Sequence, residues 1–273
     1  MPPGPVCHPE PLCGEGSLRE KEPALRRCPL LLVIQTPCYT TQVTYAKTRR
    51  ELMTTCYLIR HGETDWNVQG IWQGQADIPL NDMGRAQAHR LAAYLLEAGI
   101  HFDAIYSSDL QRSWETATIV AAALGITPQP LIALREIDVG AWSAKTRAEV
   151  IAYNPALYQR FVAGEDVRRG DTGETFSELS QRAAAAIEQI AVAYPAGQVA
   201  CFSHGGPIRA LIGYAAGDAQ LVHGHIGNTS ITIMHRTASG WDLGVVNAMQ
   251  HLGNIDQAID MMSAPPDDAE TPL

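Results

Sequence analysis

Three short stretches of this chain place imidazole and guanidinium groups where a phosphate could be bound and attacked. In Arg60-His61-Gly62-Glu63-Thr64-Asp65-Trp66-Asn67 a guanidinium stands directly before an imidazole. A guanidinium matches two phosphoryl oxygens at once, and neutral imidazole can attack phosphorus, so the pair sets a clamp beside a nucleophile. A phosphohistidine formed there would split one hard transfer into two easier ones. Gly62 is expected to leave room for a closely approaching ligand. In Ser203-His204-Gly205-Gly206-Pro207 two glycines precede a helix and free its N–H groups for an anion. His204 could then lie against the same phosphoryl group from the opposite side and stabilise the transition state. In Ser107-Ser108-Asp109-Leu110-Gln111-Arg112 the arginine falls in a first helical turn, where a basic charge opposes the helix dipole and so points to a ligand. The leaving alkoxide needs a proton. Glu136, within Leu134-Arg135-Glu136-Ile137-Asp138-Val139-Gly140, is the candidate donor, because a carboxyl beside an anion tends to hold its proton; Asp138 and Glu63 are rivals.

Alternating strands and helices have to carry these groups. Apolar runs at 56–60, 103–107, 198–203 and 230–234 read as strands. Helical periodicity covers about 82–98, capped by Asn81 or Asp82 with Gly99 just past its end, and about 110–124, ending at Gly125. A third helix is expected over 175–194, with Glu174 and Glu178 near its positive end, and a fourth from Pro207. This alternation predicts a three-layer α/β/α sandwich with a largely parallel central sheet. The stretch 141–172, with one helix near 145–162, reads as a lid insertion over the sheet, and 230–247 as two strands joined near Ser239-Gly240. In such sheets ligands bind beyond the carboxyl ends of the strands, which is where all three stretches fall.

Composition narrows the partners. The chain has 273 residues and a formal charge of -9. An acidic protein repels nucleic acid and anionic membrane surfaces, so neither is expected as a partner, and positive charge must be concentrated locally to hold a phosphate. No apolar run reaches the roughly 20 residues of a membrane span. The cysteines form no Cys-x-x-Cys pair and read as free thiols of a reducing cytoplasm. Residues 1–52 read as a poorly ordered leader, 53–252 as the folded domain and 253–273 as a disordered tail. Met53 stands where an initiator would, so the leader is either an upstream extension or a genuine tail. His223-Gly224-His225 is too small a set to hold a metal, His251 is expected to be structural, and His89 to sit on the exposed side of its helix. No metal site and no cofactor is expected.

Taken in order, these motifs resemble the histidine phosphatase superfamily, in its phosphoglycerate-mutase-like branch. The resemblance rests on Arg60-His61-Gly62-Glu63-Thr64, then Trp66-Asn67, Gln73-Gly74 and Asp77-Ile78-Pro79-Leu80. It continues through Ser108 to Arg112, Leu134-Arg135-Glu136 with Gly140 and Trp142, and Ser203-His204-Gly205-Gly206, spanning about 54–252. It implies that His61 is the phosphorylated nucleophile, that Arg60, Arg112 and His204 bind the transferred phosphoryl group, and that Glu136 donates the proton. Asn67, Gln73, Gly74 and Gly205 would line the phosphate or substrate site, and the family's chemistry needs no metal. Glycolytic mutases of this family carry additional basic residues in a longer insertion after the Glu motif. Here 143–172 offers Lys145, Arg147, Arg160, Arg168 and Arg169 without that pattern, and 170–176 looks like the phosphatase branch. The expected activity is a phosphomonoesterase acting on a small phosphorylated metabolite. A phosphoglycerate mutase is the alternative, and a phosphate-binding module without turnover is the third reading. The substrate's identity and the oligomeric state are left open by the sequence, with specificity expected in the lid and near Trp72 and Trp142.

Overall fold

In the computed structural model, which describes residues 52–217 and 224–253, the apolar run near Met53 becomes β1 (Leu52–Arg60). The chain continues through α1 (Asp65–Val68), α2 (Asp82–Glu97), β2 (Ala104–Ser107), α3 (Gln111–Leu124) and β3 (Gln129–Pro130). Then come α4 (Arg147–Tyr153), α5 (Pro155–Val162), α6 (Phe176–Ala193), β4 (Gly197–Ser203), α7 (Gly205–Ala216), β5 (Ile231–Thr237) and β6 (Gly240–Leu243). The predicted leader, apart from Leu52, and the predicted tail, apart from Gly253, lie outside the described residues, as does His223.

Both faces of the sheet are covered, which is why its inner strands read as continuous apolar runs. Along β1, Cys56 and Leu58 face a core completed by Ile187 and Ile190 of α6 and by Ile208 and Leu211 of α7. Tyr57 and Ile59 face the other way, onto Leu91 and Leu95 of α2 and Ala117 and Val120 of α3. Each fully buried Leu or Ile contributes about 1.5–3 kcal/mol relative to exposure. The strand order is β3-β2-β4-β1-β5-β6. β1, β4, β2 and β3 run parallel, and β5 and β6 add an antiparallel edge. The sheet is therefore mixed, with the parallel part carrying the motifs.

The helix ends follow local chemistry. Asn81 caps α2 by accepting the Gly84 N–H, and Gly125 closes α3 in the left-handed conformation. Glu178 completes a capping box with Thr175 at α6; Glu174 lies outside the helix and instead pairs with Arg182. The single helix expected over 145–162 is two. Pro155 disfavours helical geometry at Asn154, which has φ -153° and ψ 87°, ends α4 and caps α5 by accepting the Leu157 N–H. α7 begins at Gly205 rather than Pro207, so the proline occupies the third helical position. The lid forms a core of its own: Trp142 is fully buried against Val150, Tyr158, Phe161 and Val167, with Trp72 at 5.3 Å between ring centres.

Candidate active site

Parallel pairing fixes the site's frame. Arg60 sits beside Ser203 and Ser107 beside Phe202, so the loops after β1, β4 and β2 leave the same edge of the sheet. Backbone bonds extend the pairing one step further: the His61 N–H donates to Ser203 O at 3.0 Å, and Ser108 N–H to Phe202 O at 3.0 Å. His61 O in turn accepts the Thr229 N–H and the Asn228 side-chain amide. The loop is thus held from both sides, by the backbone of Ser203 and by Thr229 with the Asn228 amide.

His61 is 2% exposed. Its Nδ1 lies 2.6 Å from Gly62 O, and since a carbonyl only accepts, Nδ1 carries the proton. Nε2 is left as an acceptor, and Arg112 Nε–H donates to it at 3.3 Å. Burial, and then the charges of Arg112 and Arg60, hold the imidazole's pKa well below its ordinary value, so the ring stays neutral at pH 7 with Nε2 unprotonated. Arg112 is fully buried, and burial pushes it down to about 10; it remains a cation. Its Nη1 and Nη2 donate to Ala76 O and Gly74 O, both at 2.8 Å, which fix the guanidinium without neutralising it. Arg60 Nη1 is held by Ile226 O and lies 3.2 Å from His225 Nε2. His204 stands 5.1 Å from His61 between ring centres, with its Nε2 2.9 Å from Ser108 Oγ. Burial and the same arginines keep it neutral as well.

Glu136 follows the short β3 and a turn of 3-10 helix at Ile132–Leu134. Its carboxylate accepts the Gly206 N–H at 3.1 and 3.3 Å and the Ile137 N–H at 2.8 Å. The backbone of this segment is gripped by Arg182 of α6, which donates to Ala133 O, Arg135 O and Glu136 O while pairing with Glu174. Two expectations about glycine change here. The N-terminal N–H of α7 at Gly206 is spent on Glu136 rather than left for a ligand, and a Cβ at Gly206 would meet Glu136 Oε1 at 2.2 Å. Gly62 is required by backbone, because a Cβ there would stand 2.4 Å from Gly84 O at the start of α2.

These groups converge on a cavity of about 220 Å³. Arg60, His61, Arg112 and Glu136 line it, together with Asn67, Gln73 and Gly74. Asn67 also accepts the Thr64 N–H in a capping box, and Gln73 Oε1 is buried with no partner among the described residues. Gly205 does not line the cavity; α7 starts at that residue, and its neighbour Gly206 faces the space instead. The lid contributes Val139, Phe161 and Arg169, and Trp72 adds a further aromatic face. Trp142 is lid core rather than cavity wall.

Two lining cations were not read from the sequence as site residues. Arg209 is the fifth residue of α7, beyond the first turn in which Arg112 stands in α3, so the argument from a misplaced basic charge does not reach it. Arg169 gave no signal either: it becomes part of the wall because it stacks on Phe161 at 4.6 Å, and burial pushes it down to about 10. Asp138 accepts the Gly140 N–H, Glu63 accepts from the Asn81 amide, and neither lines the cavity. His251 is tied to Thr229 Oγ1 at 3.0 Å, and His89 is exposed. Among the described residues no three His, Cys, Asp or Glu side chains gather to hold a metal, and no helix is long and apolar enough to cross a membrane.

Comparison with known proteins gives a consistent picture. A family model described as histidine phosphatase superfamily (branch 1) matches residues 56–249. Phosphoglycerate mutase-like protein 4 of Arabidopsis thaliana is 34% identical over 202 residues, covering 71% of this chain and 85% of that protein. The metal-independent phosphoserine phosphatase of the same plant is 31% identical over 206 residues, covering 74% and 85%. The crystal structure of phosphoserine phosphatase from Entamoeba histolytica, in complex with 3-phosphoglyceric acid, superposes with a TM-score of 0.66 at 31% identity, covering 73% of this chain and all of that one.

Proposed function

The chain belongs to the histidine phosphatase superfamily, and from that premise we propose that it hydrolyses a small phosphomonoester through a phosphohistidine on His61. The observation that carries this reading is the state of His61: a buried neutral imidazole whose Nδ1 is tied to a carbonyl and whose Nε2 accepts from Arg112, with Arg60 lining the same cavity. Protonated imidazole could not attack phosphorus, and an imidazole without cations beside it would not meet a phosphate dianion.

In this reading Arg60 and Arg112 bind the equatorial oxygens and bring phosphorus in line with His61 Nε2. The N–P bond forms as the P–O bond to the alcohol breaks, and Glu136 gives its proton to the departing oxygen. His204, neutral, donates the one N–H it carries to a phosphoryl oxygen as negative charge accumulates there. Water then attacks the phosphohistidine, losing its proton to Glu136 and releasing inorganic phosphate. The cycle returns Glu136 protonated and His61 free. Asn67, Gln73 and Gly74 line the substrate's path. The free, buried Cys56 and Cys201 fit a protein working in the reducing cytoplasm.

A panel of sugar, glycerol and carboxylic-acid phosphates, read by phosphate release and paired with a 3- to 2-phosphoglycerate mutase assay, tests the proposal. Phosphate release from at least one small ester, with little isomerisation, is expected. Isomerisation without phosphate release would replace it with the mutase reading, and binding without turnover with a phosphate-binding module.

A further inference from the structure

Residues 225–230 form a loop, in neither helix nor strand, that meets β1 at its active end. Ser230 O accepts the Arg60 N–H, while the Thr229 N–H and the Asn228 amide meet His61 O. The other end of the loop meets the Arg60 side chain, whose Nη1 donates to Ile226 O and lies 3.2 Å from His225 Nε2. The direction of that guanidinium therefore depends on where the backbone at 225–227 stands.

One side chain pins that backbone. Asn247 Oδ1 accepts the Gly227 N–H at 2.8 Å, and its Nδ2 donates to His225 O at 3.0 Å. An N–H only donates and a carbonyl only accepts, so both partners demand the same orientation of the amide. The two bonds flank Ile226, whose carbonyl is the one that Arg60 grips. Asn247 is in turn anchored to the sheet. Its own N–H donates to Thr232 Oγ1 at 3.0 Å, and its neighbour Ala248 pairs with Ile231 of β5 in both directions at 2.9 Å. Its φ of 53° lies in the left-handed region, which asparagine enters more readily than most side chains. Asn247 does not line the cavity, so whatever it contributes to the site passes through the loop.

We propose that Asn247 is a positioning residue for the phosphoryl clamp: by pinning His225 and Gly227 it sets the Ile226 carbonyl, and through that carbonyl the guanidinium of Arg60. This inference rests on the phosphatase reading above. Phosphorus must lie in line with His61 Nε2, and a displacement of about 1 Å in the groups that hold it can cost about 100-fold in rate. The amide thus acts on the reaction by geometry, without touching the substrate.

A double-mutant cycle separates this role from a general loss of structure. Asn247→Gly removes the amide while leaving the left-handed backbone unstrained. With p-nitrophenyl phosphate as substrate, its kcat/KM should fall by about 30-fold or more in the otherwise unmodified protein. In an Arg60→Ala background the same change should cost no more than about threefold, because the amide then has no guanidinium to direct. Rates measured well below each variant's Tm keep unfolded protein out of both numbers. Asn247→Asp keeps the acceptor for Gly227 and loses the donor for His225 O. It should show the same dependence on Arg60, and it carries the test if the glycine variant does not fold. Equal losses in the two backgrounds, or no loss in either, overturn the inference while leaving phosphatase activity in place. No phosphate release from this ester by the unmodified protein would instead remove the phosphatase reading, and this inference with it.

Discussion

One wall of the cavity is made by loops leaving β1, β2 and β4, where ladder bonds continue to His61 and Ser108, while another is made by Val139, Phe161 of α5 and Arg169, which belong to a lid that packs mainly on itself. The first wall holds its charged groups with backbone carbonyls at 2.8 Å; the second holds Arg169 by a carbonyl and an aromatic face. Carbonyl bonds fix direction to within a narrow cone, whereas stacking lets a guanidinium slide over a ring. Chemistry that needs a phosphorus in line belongs to the first kind of wall.

The largest effect that would break this division is at His61. His61→Ala should lower phosphate release by at least about 10⁴-fold and abolish acid-labile labelling by radioactive substrate phosphate, since the covalent step is lost. Normal turnover in that variant would move the chemistry away from the sheet edge altogether. A smaller and selective effect is expected at Glu136. Glu136→Gln should slow an alkyl phosphate by about 10²–10⁴-fold but p-nitrophenyl phosphate far less, because that leaving group hardly needs a proton. Equal losses on both would assign Glu136 to positioning.

Acid supplies the mildest test, and it separates the walls. His61 and His204 have pKa values held well below the ordinary one by burial, and burial pushes His251 down to about 4. The unfolded chain protonates these rings near pH 6.5 while the folded one does not, so the unfolded state binds more protons and stability is lost as pH falls below about 6.5. Each such ring contributes at most about 1.4 kcal/mol per pH unit. The lid between 139 and 176 carries no histidine, so the loss should begin at the sheet edge. Thermal unfolding from pH 7 to 4 should show a falling Tm, with a shallower fall in His251→Gln. An unchanged slope in that variant would mean His251 does not couple protonation to folding.

The difference between the walls also explains what could be read from the chain alone. Arg60-His61-Gly62 and Ser203-His204-Gly205-Gly206 are local: residue type, glycine and strand end coincide within a few positions, so both loops and their shared edge could be inferred. The helix boundaries at Asn81, Gly99 and Gly125 were legible for the same reason, because caps act over one turn. Glu136 was legible as a residue but not as a position, because β3 has only two residues and no run of its own to signal it. The split at Asn154-Pro155 is local chemistry that the helical period concealed. Arg169 depends on how the lid folds over Phe161, a contact no spacing encodes. The reason for Gly62 lies at Gly84, a crossing of two backbones that sequence distance hides.

Arg182 gives the catalytic segment something a two-residue strand cannot. Its guanidinium collects the carbonyls of Ala133, Arg135 and Glu136 as a neighbouring strand would, from a helix on one face of the sheet. The address of Glu136 is therefore written partly in α6. A variant at Arg182 or at Glu174 would read in an activity assay as a lost acid although the acid is still present, and it would imitate Glu136→Gln in leaving-group dependence. For anyone sorting inactive variants of this protein, damage at the far end of that grip belongs with the active site, whatever its distance in sequence.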